Sequence, residues 1–354
     1  MRILITGGRG FLGSYLAQAL SDAGHEVLIL THRIPTGSMM VYGDITRPGL
    51  DMPPWQWPQA IVNCAGLVSF RRNDAQRLGQ LNVEGARNVG EVARSLDIPL
   101  YHVSTAYAEG DKQRGFRNFY EESKYLGEQA LQNIWGLKLT ILRPAILVGD
   151  SQVKGVPPLN GLYSGIRAVS LAKRALERGL ALPPLEPAFR LSGNPQGLLN
   201  LVPVDVAADQ IAEIISGGHT GEFYIVNESP PAIAEVISAA SQVLGARLDL
   251  YPPGSPPEDL TPADRLIHHL MESLVPYLAG DSVFDNQTTR AVCTTRCLGV
   301  SYDFIKNTTR QFLLHQGSGG PHARRPQELR RENALRQDAA GSGQAGPDAG
   351  ETPQ

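Results

Sequence analysis

Cysteine is scarce in this chain. Three residues of 354, Cys64, Cys293 and Cys297, are too few for a disulfide framework. Cys293 and Cys297 are spaced C-x-x-x-C without ligand-type neighbours, and His268-His269 lacks a partner pattern, so no metal site is expected. Charge is also sparse. Asp, Glu, Lys and Arg make up 19% of the residues, with a net charge of −3 and a pI of about 6.3. That balance supplies no basic face for a nucleic acid. No apolar run approaches the roughly 20 residues that span a bilayer. A strand pattern begins at the second residue, so no signal peptide is expected, and the expected location is cytoplasmic. There is no internal repeat. Apolar residues are plentiful, at 42%, enough for one large α/β domain with an appendage or for two domains.

The first thirteen residues are the most informative. The apolar run Ile3-Leu4-Ile5 leads into Thr6-Gly7-Gly8-Arg9-Gly10-Phe11-Leu12-Gly13, and an amphipathic segment, Ser14–Ala23, follows. A buried strand, a glycine turn and a helix start in that order form a dinucleotide-binding cradle. Gly7 permits the turn, Gly10 lets backbone approach a pyrophosphate, and Gly13 lets helix pack on strand. The helix N-terminus then offers free N–H groups to phosphates.

The rest of residues 1–150 alternates apolar strand candidates with amphipathic segments. Strands are expected at Arg2–Thr6, Glu26–Thr31, Ala60–Cys64, Leu100–Ser104 and Leu137–Arg143. Helices are expected at Ser14–Ala23, Leu78–Leu96 and Tyr120–Ile134. Continuous apolar strands alternating with helices predict a doubly wound parallel sheet, the dinucleotide-binding core. Residues 151–315 read as a smaller substrate lobe with elements returning to that core. Its expected helices are Leu162–Arg178, Val206–Ile215 and Ile233–Leu244, its strands Leu199–Val204 and Glu222–Val226, and Pro183–Pro195 reads as irregular. Asp205 reads as a helix cap. Residues 316–354 lose their large apolar side chains and are expected to be a disordered tail, with Arg324, Arg325, Arg330 and Arg331 as solvated charge.

Tyr120-Glu121-Glu122-Ser123-Lys124 sets a phenol and an ammonium four residues apart, on one face of a helix. A nearby cation favours the phenolate, and Lys124 also suits nicotinamide ribose hydroxyls. Upstream, Ser104 and Thr105 stand at a strand end, where a hydroxyl can steady a carbonyl oxygen as it gains charge. Asn63-Cys64-Ala65-Gly66 ends another strand in small residues, against which a ring can lie. Asn82 falls early in a helix, and Arg143-Pro144 closes the strand after the Tyr/Lys helix.

The order and spacing of these pieces resemble the extended short-chain dehydrogenase/reductase superfamily. TGGRGFLG matches its glycine turn, and YEESK its Tyr-x-x-x-Lys motif. The VSTAY stretch at residues 103–107 and the stretch from Asn118 to Glu128 are similar to fatty acyl reductases and thioester reductase domains, as is the LVPVD segment at 201–205. The resemblance implies a Rossmann core with Tyr120 as general acid/base, Lys124 as its activator, Thr105 or Ser104 as the hydroxyl, and Asn82 in the fold or a water relay. It further implies that Gly7, Arg9, Gly10, Phe11, Leu12, Gly13, Asp44, Ile45, Cys64, Ala65, Gly66 and Pro144 meet the cofactor.

The second strand ends in Thr31-His32-Arg33, with no acid for a ribose 2′-hydroxyl. Arg33, helped by Arg9, suits a 2′-phosphate, so NADPH is expected over NADH. The expected reaction is reduction of an acyl thioester, on coenzyme A or an acyl carrier protein, to an aldehyde or alcohol. Leu159, Leu162, Ile166, Val169 and Leu171 are candidates for an acyl tunnel. Ketone or alcohol dehydrogenation, sugar-nucleotide epimerisation or dehydration, and a non-catalytic NADP(H)-binding regulator remain alternatives. A homodimer through helices of the first domain is common in this group.

Overall fold

A computed structural model describes residues 1–317 apart from 36, 38, 53–57, 111–114, 180–186 and 281–282. The expected tail lies, from residue 318 on, outside the described residues. In chain order the elements are β1 (Arg2–Thr6), α1 (Phe11–Asp22), β2 (Glu26–Thr31), β3 (Met40–Tyr42), β4 (Ala60–Asn63), α2 (Ala75–Leu78), α3 (Gly85–Ser95), β5 (Leu100–Val103), α4 (Phe119–Gln132), β6 (Leu139–Pro144) and β7 (Ile146–Val148). Then come α5 (Gly161–Gly179), β8 (Ala188–Ser192), β9 (Leu201–Pro203), α6 (Val204–Ser216), β10 (Gly221–Ile225), α7 (Ile233–Leu244), β11 (Arg247–Tyr251), α8 (Pro262–Met271), α9 (Gln287–Val292) and α10 (Tyr302–Gly317).

Seven strands form one sheet in the order β10-β6-β5-β4-β1-β2-β3, and every described pairing in it is parallel. Strands buried on both faces need apolar runs, and Ile3, Leu4 and Ile5 of β1 are fully buried. The chain reverses its winding direction between β1 and β4, and ligands of such sheets bind at the carboxyl ends beside that switch. Gly7 and Cys64 follow those two strand ends directly.

One apolar cluster fills the face under α1 and α6 and continues into α5, α7, α8 and α10. A second, smaller cluster lies under α3 on the opposite face. β10 returns to the sheet beside β6, with Gly221 opposite Thr140. Two small parallel pairs, β7 with β9 and β8 with β11, frame the second half of the chain.

Three local expectations are corrected. Pro183–Pro195 is not irregular throughout, because Ala188–Ser192 is a strand held by β11. The single helix Leu78–Leu96 is broken by a π-helical turn at Gly79–Glu84. Asp205 does not cap α6, which starts after Pro203. Its carboxylate instead accepts from Ser151 N at 2.9 Å and Ser151 Oγ at 2.5 Å, tying down the loop after β7.

Candidate active site

The glycine turn is forced by crowding. Gly7 sits at φ +65°, and a Cβ there would lie 2.6 Å from Ala65 N. A Cβ on Gly13 would overlap the Gly7 carbonyl. α1 starts at Phe11, earlier than expected. It has no side-chain cap and no acidic residue in its first turn, so its first N–H groups stay available and nothing there repels an anion. A dinucleotide's pyrophosphate therefore fits this turn.

α4 carries the Tyr/Lys pair. Asn118 caps it by accepting a hydrogen bond from Glu121 N at 3.0 Å, which orients the first turn where Tyr120 stands. Burial, then the adjacent Glu121 carboxylate, push the Tyr120 phenol up to about 12, against the influence of the nearby Thr105 hydroxyl. Lys124 is buried, and its Nζ donates to Val103 O at 2.6 Å. Burial lowers its ammonium to about 8, against the pull of Glu128 and Cys64. The expected tilt of Tyr120 toward phenolate by Lys124 is thus outweighed: the phenol keeps its proton at neutral pH.

Ser104 Oγ is buried and makes no hydrogen bond among the described residues. Of the two expected hydroxyls, Thr105 is the one close enough to influence the Tyr120 phenol, and its Oγ1 accepts from Tyr107 N at 3.4 Å. Asn82 sits in the π turn, 1% exposed. Its Oδ1 accepts from Leu67 N at 2.7 Å, and its Nδ2 donates to Leu67 O at 3.0 Å and Ser123 Oγ at 2.9 Å. It ties the loop after β4 to α4 and does not line the cavity.

That cavity has a volume of about 490 Å³ and brings together Gly7, Gly10, Phe11, Leu12, Gly13, Cys64, Gly66, Ser104, Thr105, Tyr120, Lys124 and Pro144. Burial pushes the Cys64 thiol up to about 12, against Lys124, so it stays a neutral wall group. Ala65, Arg9, Arg33, Asp44 and Ile45 are not part of its lining. Arg33 is exposed just past β2. Asp44 Oδ1 accepts from Thr46 N at 2.9 Å and Thr46 Oγ1 at 2.8 Å. Ile45 is buried under α3, beside Gly85.

Sequence reasoning missed much of the cavity's far wall. α7 contributes Ile233, Val236, Ile237, Ala240 and Leu244, and β11 contributes Leu248. Leu159, Leu162, Ile166 and Val169 line it as expected, but Leu171 is 42% exposed and points elsewhere. The apolar spacing of α7 was visible in the sequence. Nothing in it distinguishes a helix face against a cavity from one against core.

An aromatic group closes the catalytic end, also unforeseen. Tyr277, from the turn at Val275–Ala279, meets Tyr107 edge-on with centroids 5.2 Å apart, and Phe70 meets Tyr120 edge-on at 5.9 Å. Tyr277 OH donates to the fully buried Glu121 at 2.7 Å and accepts from Asn118 Nδ2 at 2.9 Å. The second half of the chain is thereby latched to the first turn of α4.

The NAD dependent epimerase/dehydratase family matches residues 3–176. Sterol demethylase protein B of Methylococcus capsulatus is 28% identical over 171 residues, 42% of this chain and 52% of that protein. The dTDP-4-dehydrorhamnose reductase of Mycolicibacterium smegmatis is 30% identical over 142 residues, 37% of this chain and 41% of that one. The chain thus spans about half the length of the curated relatives it matches. The terminal R domain of the myxalamid PKS-NRPS pathway superposes with a TM-score of 0.66 at 22% identity, over 89% of this chain and 91% of that one. That likeness supports the fold.

Proposed function

Through residues 3–176 the chain belongs to the NAD dependent epimerase/dehydratase family, of extended short-chain dehydrogenase/reductase type, and from that premise we propose that it is an NADPH-dependent reductase of a carbonyl borne on an apolar substrate. The carbonyl we assign is that of an acyl thioester, on coenzyme A or an acyl carrier protein. One observation carries the reading: Tyr120, Thr105 and Lys124 line a cavity whose remaining wall is almost wholly apolar. Such a wall suits an acyl chain. It suits a nucleotide-sugar poorly, since buried hydroxyls without partners are costly.

Gly7, Gly10 and Gly13 would hold the cofactor's phosphates, and Lys124 its ribose. When bound, the cofactor supplies the hydride. Thr105 and Tyr120 hold the carbonyl oxygen by hydrogen bonds that strengthen as it becomes an oxyanion. Tyr120 keeps its proton at neutral pH and can give it to that oxygen. Residues 151–315 serve as the substrate lobe in this reading.

Reduction of a ketone is the second reading. It is favoured by the cavity lining, in which Lys124 is the only side chain charged at neutral pH among the described residues, so that lining offers no second cation to a carrier's phosphates. NADPH oxidation by the purified protein against acyl-CoA thioesters, aldehydes and ketones separates the two. Thioester-dependent thiol release supports the first, and turnover of ketones alone supports the second. Tyr120→Phe should reduce turnover about 10²–10⁴-fold with NADPH affinity nearly unchanged. Full activity in that variant rejects Tyr120 as the acid.

A further inference from the structure

The cavity continues well past the catalytic end, and its shape can be followed through hydrogen bonds. Ala106 N donates to Pro144 O, which ties the strand end bearing Thr105 to the end of β6. Ile146 N donates to Asn200 O, and Leu199 N donates to Pro231 O, which brings the start of α7 to the same place. α5 also begins there, with Gly161 beside Ile146. At the other end, Lys173 Nζ of α5 donates to Leu244 O at 2.9 Å and Gly245 O at 3.0 Å, the last carbonyl of α7 and the one just after it. The two helices therefore run side by side, away from Tyr120, with the cavity along them.

On α5 the lining residues run from Gly161 to Val169, all glycine or apolar. On α7 the lining residues run from Ile233 to Leu244, a rise of about 16 Å at 1.5 Å per residue. Val236, Ala240, Leu244 and Leu248 are all buried, as is Val169 opposite them on α5. None of these side chains carries a hydrogen-bonding group. A sugar, a phosphate or a peptide backbone placed here would lose its water without replacement. Leu244 and Leu248 are the last lining residues along this wall in chain order, and Ala240, one helical turn before Leu244, has the smallest side chain of the α7 lining.

We propose that this arm is a length gauge for a straight alkyl chain: the space between α5 and α7 takes an unbranched chain of roughly a dozen carbons, about 1.3 Å each for C–C bonds of about 1.5 Å, with Leu244 and Leu248 as its floor and Ala240 as the residue that sets its bore. The gauge rests on the carbonyl-reductase reading only in what it does for turnover. Its binding of alkyl chains stands apart from that chemistry.

The experiment therefore reads binding and turnover separately. Binding of the straight-chain primary alcohols from hexanol to hexadecanol is measured by calorimetry on the full chain. Reduction of the matching acyl-CoA thioesters and methyl ketones is measured in parallel. Affinity should rise about fourfold per methylene and then level off near roughly twelve carbons. Ala240→Leu should bring the plateau about four carbons earlier, one helical turn of length. Leu244→Ala should move it about two carbons later. The shifts are opposite in sign, so general destabilisation, followed by thermal unfolding of each variant, cannot mimic both. A plateau that neither substitution moves, or an affinity indifferent to chain length, overturns the gauge even if carbonyls are reduced. Opposite shifts in binding without turnover of any carbonyl uphold the gauge and reject the reductase reading.

Discussion

At the scale of single residues, the site is governed by what burial does to charge. Lys124 has one strong described hydrogen bond, to a backbone carbonyl, and its ammonium is lowered from 10.5 to about 8. Below that value it is charged, and above it neutral. The cation that would steady the ribose and the carbonyl end is thus lost as pH rises through about 8. We expect kcat/KM for NADPH-dependent reduction to decline above about pH 8, and the decline to be absent from the residual activity of Lys124→Met. A wild-type profile that stays level well past that point would remove Lys124 from the role. The sequence showed the Tyr120/Lys124 spacing, since four residues make one helical turn. The sign of the Tyr120 shift was not visible there. It depends on how deeply α4 is buried and on Glu121, whose carboxylate is held in place by Tyr277 from 156 residues away.

At the scale of elements, α4 must be held rigidly for its side chains to be useful. Arg143 on β6 does this from beneath. Its Nε and Nη2 donate to the two oxygens of Glu128 on α4 at 3.1 and 2.6 Å, and its Nη1 donates to Glu109 at 2.8 Å and Tyr224 OH at 2.9 Å. The Arg143 and Glu128 side chains are 6% and 2% exposed. Arg143→Met should cost about 3–5 kcal/mol of stability, because it strands a buried carboxylate, and adding Glu128→Leu should recover most of the loss. Denaturant unfolding measures both. A single variant within about 1 kcal/mol of wild type would show that the pair does not hold α4. The elements the sequence did not reveal include the short strands β3, β7, β8 and β11 and the helices α8, α9 and α10. Those strands have three to five residues each, which leaves little room for a periodic pattern. β8 exists because β11, from Arg247 onward, pairs with it.

At the scale of the whole molecule, cofactor binding and stability are linked. A ligand held only by the folded chain at a hundredfold excess over its Kd adds about 2.7 kcal/mol to the unfolding free energy. We expect NADPH to raise the melting temperature more than NADH at equal concentration, and Arg33→Ala to erase the difference by weakening NADPH alone. Equal protection by both cofactors in the wild type would reject the 2′-phosphate role of Arg33. The sequence by itself determined most strands of the sheet, the glycine turn and the Tyr/Lys helix, because each is written in a local pattern: an apolar run, a backbone conformation, a helical repeat. Only the tertiary structure decided that α5 and α7 both line a cavity and that Asn82 braces a loop. Those outcomes depend on which surfaces meet across 15 to 72 residues of chain, and an apolar helix face reads the same whether core atoms or open space lie against it.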